Sequence, residues 1–288
     1  MNEQRTVLVT GATGNVGPHA VAELLAAGAQ VRALVLADDP NLDRLPAGVQ
    51  LCTGDLADPD SLDAALDGVD GVFWMWPFFS LSTATAPAVL EKMEQRVRRV
   101  ALVSSVGVHI GLEPVDNNCH AYLEHLLERS TLAWTFLRTT GFMANALGFA
   151  AQVRDGGAVV RFPYGDAART SVHEADLAAV GVRALLEDGH EYRSYLVSGP
   201  ELLTQREQVH IIGEVIGRPI GWQDVHAEEA RRQMVATGWP PSYADGALDY
   251  FATLTKEPEV GSTVVAEVTG RPARTFRQWA HEHAAAFR

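Results

Sequence analysis

The sequence predicts an α/β chain with a doubly wound, mostly parallel sheet and a smaller, mainly helical C-terminal lobe. Three observations carry that expectation. The stretch from Arg5 to Gly17 places an apolar run, a glycine-rich turn and an amphipathic segment in that order. Short apolar runs then alternate with helix-length segments as far as Arg138, the pattern of parallel strands joined by crossover helices. Beyond Thr139 the alternation loosens and helical segments dominate. The expected division is a sheet domain over residues 1–155 and a substrate-side lobe over 156–288, interleaved rather than independent.

Val7 to Val9 reads as a buried strand, and Val16 to Ala27 as the helix that follows the turn and stops at Gly28. Between them Gly11 permits a tight turn, Gly14 lets backbone approach a pyrophosphate, and Gly17 allows helix and strand to pack closely. The helix N-terminus then points free N–H groups at the anion. Gly11, Thr13, Gly14, Asn15, Val16 and Gly17 are therefore candidate contacts to a dinucleotide, although the spacing is G-x-x-G-x-x-G rather than G-x-G-x-x-G. A tight turn with nothing bound is the bland alternative.

The second strand spans Gln30 to Leu36. An acidic residue about 20 positions past the glycines suits the ribose of NAD, and a nearby arginine suits the 2′-phosphate of NADP. Leu36 stands there, Asp38 and Asp39 follow, and Arg32 and Arg44 are the nearest cations, so the choice between NAD and NADP stays open. Val49 to Thr53 is the third strand. Asp55 and Leu56 lie at its C-terminal edge, where ligands of open α/β sheets bind, and a helix from Pro59 to Leu66 follows with Asp58 as its cap. Val69 to Met75 is the fourth strand and runs into Trp76-Pro-Phe-Phe79, aromatics that either wall a flat apolar ligand or join the core.

Ser82 to Val97 reads as a helix and Arg99 to Val103 as a strand ending at Ser104 and Ser105. Asn117 or Asn118 caps a helix carrying His120, Tyr122, Glu124 and His125, and Ala133 to Arg138 is the next strand. Phe142 to Gln152 looks helical, Ala158 to Phe162 extended, Glu174 to Leu186 helical and Tyr192 to Val197 extended. Gln205 to Ile216, a strand near Ile220, and helices from Glu228, Pro241 and Arg274 complete the chain.

Across 288 residues the hydrophobic content of 47% is enough for a sizeable core, and a formal charge of −13 repels phosphate backbones, which disfavours nucleic-acid partners. Two cysteines, Cys52 and Cys119, make no disulfide framework, and no charged-then-apolar leader precedes the first strand, so a reducing cytoplasm is expected. No apolar run approaches the ~20 residues of a membrane span. The histidines lack ligand spacing with cysteines or carboxylates, so no metal is expected.

Taken together, Thr10-Gly-Ala-Thr-Gly-Asn-Val-Gly17, Val31-Arg-Ala-Leu-Val35, Thr53-Gly-Asp-Leu56, Val103-Ser-Ser105, Thr135-Phe-Leu-Arg138, Gly141-Phe-Met-Ala-Asn145, Val172-His-Glu-Ala-Asp-Leu-Ala178 and Ser198-Gly-Pro-Glu201 resemble the NmrA-like branch of the atypical short-chain dehydrogenases/reductases along nearly the whole chain. The resemblance implies a Rossmann fold binding NAD(P)(H), in a family of quinone or azo-type reductases, aromatic-substrate reductases and redox sensors without turnover. It adds Met75, Trp76, Ser104 and Ser105 to the expected cofactor contacts. Leu36 stands where family members usually carry a basic residue, and Thr139 where many have proline.

Ordinary short-chain dehydrogenases use a Tyr-x-x-x-Lys pair, whose lysine lowers the tyrosine pKa. This chain has only Lys92 and Lys256, neither of them four residues after a tyrosine. At the corresponding place stand His120 and Glu124, four apart on one helix face, where histidine could pass a proton and glutamate orient or charge it. The alternative is an exposed histidine paired with a surface carboxylate. Cys119 reads either as a reactive thiol or as a small buried side chain.

The expected function is NAD(P)H-dependent reduction of a flat, conjugated carbonyl or quinone-type small molecule by hydride transfer from nicotinamide C4, with His120 as a possible proton donor. Trp76, Phe78, Phe142, Met143, Asn145 and Tyr164 are the expected substrate contacts. Two other readings stand beside it: a non-catalytic NAD(P) sensor that binds a protein partner, and a biosynthetic enzyme using the cofactor for a non-redox or internal redox step. The chain is expected to act as a monomer or homodimer.

Overall fold

The computed structural model describes residues 4–110, 118–154 and 157–288. Strands β1 (Thr6–Val9), β2 (Gln30–Val35), β3 (Gln50–Thr53), β4 (Gly71–Trp74), β5 (Arg99–Ser105) and β6 (Ala133–Thr139) lie in the order β3-β2-β1-β4-β5-β6, and a seventh strand, Arg193–Val197, follows β6. All five pairings from β3 to β6 are parallel. The order reverses between β1 and β4, and it is outside the carboxyl ends of strands at such a switch point that open α/β sheets bind ligands.

Alternation along the strands feeds two apolar layers. Val72 and Trp74 of β4, with Leu8, Leu102 and Phe136, face a cluster completed by α2 (Asp63–Leu66), α3 (Ala86–Glu94) and α5 (Asn118–Glu128). Phe73 points the opposite way, toward the helix Glu174–Leu186. A Cβ at Gly181 of that helix would come within 2.5 Å of the Phe73 ring, so the glycine is what lets helix and sheet approach.

Contacts divide the chain into two compact units, one built from residues 4–110, 118–139 and 174–196, the other from 140–154, 157–173 and 197–288. The two units interleave, and the changeovers fall after residues 139, 173 and 196 rather than at 155. Glu174–Leu186 is buried along nearly its whole length and packs on α1 (Gly17–Ala26) and the sheet, and Arg193–Val197 extends that sheet, so the helix and the strand up to residue 196 belong to the first unit.

Among the described residues the second unit carries six α-helices, Ala150–Arg154, Gln205–Ile216, Ala227–Ala236, Pro241–Leu254, Val264–Thr269 and Phe276–Glu282. It also holds a parallel pair, Val159–Arg161 with Gly221–Gln223, and an antiparallel pair, Ala168–Arg169 with Leu203–Thr204. Phe149, Val160, Ile212, Phe276, Trp279 and Phe287 form its main core. Thr204 with Glu207, and Thr275 with Gln278, close reciprocal capping boxes at two helix starts.

Several expected elements are shorter or tighter than the sequence implied. The segment from Pro59 is a 3₁₀ turn, Pro59–Leu62, leading into α2, and Asp58 makes no side-chain cap; its carbonyl instead accepts from Ser61. The helix expected from Ser82 opens as a 3₁₀ turn, Thr83–Thr85, before α3. Phe142 to Gln152 resolves into the 3₁₀ helix Met143–Phe149 and the helix Ala150–Arg154. The proposed cap Asn117 lies outside the described residues, and Asn118 is the first residue of α5.

Candidate active site

The glycine turn joins the end of β1 to α1. Gly11 has φ +59° and sits against Met75, so close that a Cβ there would meet the Met75 Cβ at 3.2 Å. Gly14 donates its N–H to the Gly11 carbonyl at 3.0 Å, and an added Cβ would lie 3.2 Å from that oxygen. At Gly17 a Cβ would fall 2.3 Å from the Gly11 carbonyl and 2.4 Å from that of Ala12, a collision with backbone that no rotamer relieves. Val16 occupies the N-cap with no side-chain cap bond, and a proline stands in the first helical positions. The N-terminal donors of α1 are thus offered to an anion. Across the switch point the Thr10 hydroxyl donates to the Met75 carbonyl and accepts from the Met75 N–H, both at 2.8 Å, which fixes the end of β4 beside the turn. A turn that only glycines can draw this tight, leading into a helix start with no side-chain cap, fits a dinucleotide pyrophosphate.

Beside the turn, Leu36 is exposed just past β2, where it offers no polar group to a ribose. Thr13 supplies what spacing could not: its hydroxyl donates to Asp39 Oδ2 at 2.7 Å, and its carbonyl accepts from Arg44 Nη1 at 2.8 Å. Arg32 is directed elsewhere, onto the carbonyls of Ala65 and Asp67. Asn15 and Asp55 are exposed. The Asp55 carboxylate accepts from its neighbour Ala57 N, whereas Leu56 is buried in the sheet cluster and its carbonyl accepts from Thr85.

The aromatic run divides. Trp76 is buried in the sheet cluster, edge-on to Trp74 with centroids 6.1 Å apart, and its Nε1 donates to the Leu81 carbonyl. It is core. Phe78 is half-buried and meets the His120 ring in a T-shaped contact at 5.1 Å, while Phe79 is exposed. His120 itself is buried, and that burial pushes its pKa down to about 4. Its Nδ1 lies 3.4 Å from Cys119 Sγ.

Glu124, on the same face of α5, has partners other than His120. Ser104 donates to its Oε1 at 2.5 Å, and Arg138 grips the carboxylate through Nε at 3.0 Å and Nη2 at 2.6 Å. Ser104 and Arg138 are register partners at the C-terminal ends of β5 and β6, and Glu124 closes over both. The bidentate bond to Glu124 raises the Arg138 pKa above its ordinary value. Sequence reasoning missed Arg138 as a member of this network, yet a signal existed: a charged side chain ending an apolar strand needs a buried partner. Ser105 is half-buried and its Oγ accepts from Gly107 N, capping the short helix α4 (Val106–His109).

The remaining expected substrate contacts belong to the second unit. Met143 is buried in its main core, with Phe142 packed partly buried against that core, and Asn145 is exposed on the same 3₁₀ helix. Tyr164 lines a cavity with Asp166, Asp224 and His226. Its left-handed φ of +60° is held by neighbours: Gln205 donates to its carbonyl and Asp224 accepts from Gly165 N.

Residues 11–188 match the model of a family described as NAD(P)H-binding. Over 98% of this chain and 99% of the relative, the sequence is 38% identical to the (4-alkanoyl-5-oxo-2,5-dihydrofuran-3-yl)methyl phosphate reductase of Streptomyces griseus. Over 98% of this chain and 99% of the relative, it is 33% identical to the NAD(P)H azoreductase of Xenophilus azovorans. The solved structure of an NADPH-dependent quinone oxidoreductase from Escherichia coli shares the fold at a TM-score of 0.78, covering 96% of this chain and 98% of that one at 23% identity.

Proposed function

The chain belongs to the NAD(P)H-binding family, within the NmrA-like group of atypical short-chain dehydrogenases/reductases, and from that premise we propose that it is an NAD(P)H-dependent reductase of a flat, conjugated carbonyl or quinone-type small molecule. The observation that carries the reading is full-length similarity to two named reductases. By its printed name the first acts on an oxo-dihydrofuran bearing an alkanoyl group, a ring conjugated with carbonyls; the second is an azoreductase. Cys52 and Cys119 are not joined in a disulfide, which suits a reducing cytoplasm.

Gly14 would let the backbone approach the pyrophosphate, Gly17 lets α1 pack tightly against the turn, and the start of α1, which has no side-chain cap, would hold the charge. The bound cofactor supplies the hydride. His120 is neutral near pH 7 because its pKa is about 4, so it acts as an N–H donor to the substrate oxygen as negative charge develops there, and the proton that completes the reduction comes from water. With the Cys119 thiol beside Nδ1, Nε2 is the ring nitrogen that would donate to that oxygen. Glu124 touches neither reactant; it is a positioning residue that holds the Ser104 hydroxyl and the Arg138 guanidinium at the strand ends. A quinone or enone needs little acid assistance, which makes the missing Tyr-Lys pair tolerable.

A panel of quinones, enones, azo dyes and simple ketones, each followed by oxidation of NADH or NADPH, tests the proposal. Turnover with conjugated acceptors and none with simple ketones is expected. Tight cofactor binding with no oxidation by any acceptor would replace it with the sensor reading.

A further inference from the structure

We infer that Asp39 is a specificity-determining residue that excludes the 2′-phosphate and makes this chain prefer NADH to NADPH. The inference rests on the cofactor reading above and goes further by naming which nucleotide the adenosine end accepts. In a sheet of this type the adenosine ribose lies beyond the end of β2, next to the first glycine turn, and an acidic residue there receives the 2′-hydroxyl. Leu36, immediately past β2, has no group to offer.

Asp39 takes that role from three residues further on, because the turn itself holds it. Thr13 Oγ1 donates to Oδ2 at 2.7 Å, and Asn41 N donates to Oδ1 at 2.9 Å, so both carboxylate oxygens are oriented by bonds to fixed neighbours. A carboxylate accepts a hydrogen bond from a ribose hydroxyl and repels a phosphate ester at the same carbon.

Thr13 also gathers the opposing charge. Its carbonyl accepts from Arg44 Nη1 at 2.8 Å, and among the described residues Arg44 pairs with no carboxylate, so its positive charge stands spare beside the turn. One residue of the glycine turn thus carries an anion on its side chain and a cation on its backbone. The Asp39 carboxylate cancels what Arg44 would offer a phosphate. Neutralising Asp39 alone releases that attraction.

Calorimetric titration of the full chain with NADH and NADPH, and with 5′-AMP and 2′,5′-ADP as fragments that isolate the 2′-phosphate, tests this. Wild type is expected to bind NADH and 5′-AMP more tightly than their phosphorylated counterparts. Asp39→Asn, which keeps an acceptor for Asn41 N, should raise the NADPH-to-NADH affinity ratio on the order of tenfold. Adding Arg44→Gln should remove the gain, and raising the salt concentration should shrink it. Thr13→Val, which unties the carboxylate without removing it, should move the ratio in the same direction by less. A wild-type preference for the 2′-phosphorylated ligands, or an unchanged ratio in an Asp39→Asn chain that still binds NADH, would overturn the selection alone. A folded wild type that binds none of the four would overturn the cofactor reading and the selection with it.

Discussion

At the glycine turn the proposed cofactor surface is backbone: Gly11, Gly14 and Gly17 matter for the side chains they lack, and the groups that would meet a ligand are peptide N–H donors at the start of α1. At the ends of β5 and β6 the surface is side chain. Ser104, Glu124 and Arg138 reach one another from two strands and a helix, with His120 buried one turn away on α5. A backbone site tolerates no added atoms and draws little on its neighbours' identities. A side-chain network survives in geometry but changes its charge balance when one member is altered, because a buried carboxylate and guanidinium each depend on the other.

That contrast predicts effects of different kind and size. Gly14→Val should leave a folded chain that has lost at least about a hundredfold in cofactor affinity, since the side chain occupies the pyrophosphate's path. Titration calorimetry on a variant with an unchanged melting temperature would check it, and retained affinity would break the backbone half of the comparison.

Acid should act on the other half. His120 is neutral when folded down to pH about 4, whereas an unfolded histidine charges near 6.5. The unfolded chain therefore binds the extra proton first, and stability present above about pH 6.5 is lost as pH falls toward 4, by about 3 kcal/mol from this group. Urea unfolding across that range should show the loss in wild type and a flatter profile in His120→Gln.

Glu124→Gln should cost about 2 kcal/mol, less than the 3–5 expected for a fully buried pair because the Arg138 side chain remains 21% exposed to water. If the melting temperature did not move, the network would be an exposed contact rather than a support. The smallest effect is expected for His120→Ala, a fall of roughly tenfold in kcat and kcat/KM together with cofactor affinity unchanged. Wild-type turnover should also show no histidine-like step near pH 6.5, because the ring stays neutral through it.

How much of this was legible follows the same division. The turn could be read residue by residue, because a missing side chain at fixed spacing has one structural meaning. The His120 and Glu124 pair was read from helical spacing, which says that two residues share a face and not where a carboxylate turns; its partner Arg138 comes from a strand that folding brings alongside. Trp76 followed the core alternative because its indole N–H found a carbonyl within its own loop. Asp39 and Arg44 could not be placed from sequence because Thr13, through its side chain and its carbonyl, is what fixes them. Glu174–Leu186 lies far past the alternating region, and only its all-round burial assigns it to the sheet unit.

The central claim, hydride transfer from a cofactor held at the glycine turn, is tested most directly by single-turnover oxidation of bound NADH by a quinone, comparing ordinary cofactor with cofactor deuterated at nicotinamide C4. The account predicts stoichiometric oxidation that is slowed by the deuterium and absent in Gly14→Val. Bound cofactor that stays reduced in the presence of every conjugated acceptor, or oxidation at the same rate in Gly14→Val as in wild type, would contradict it.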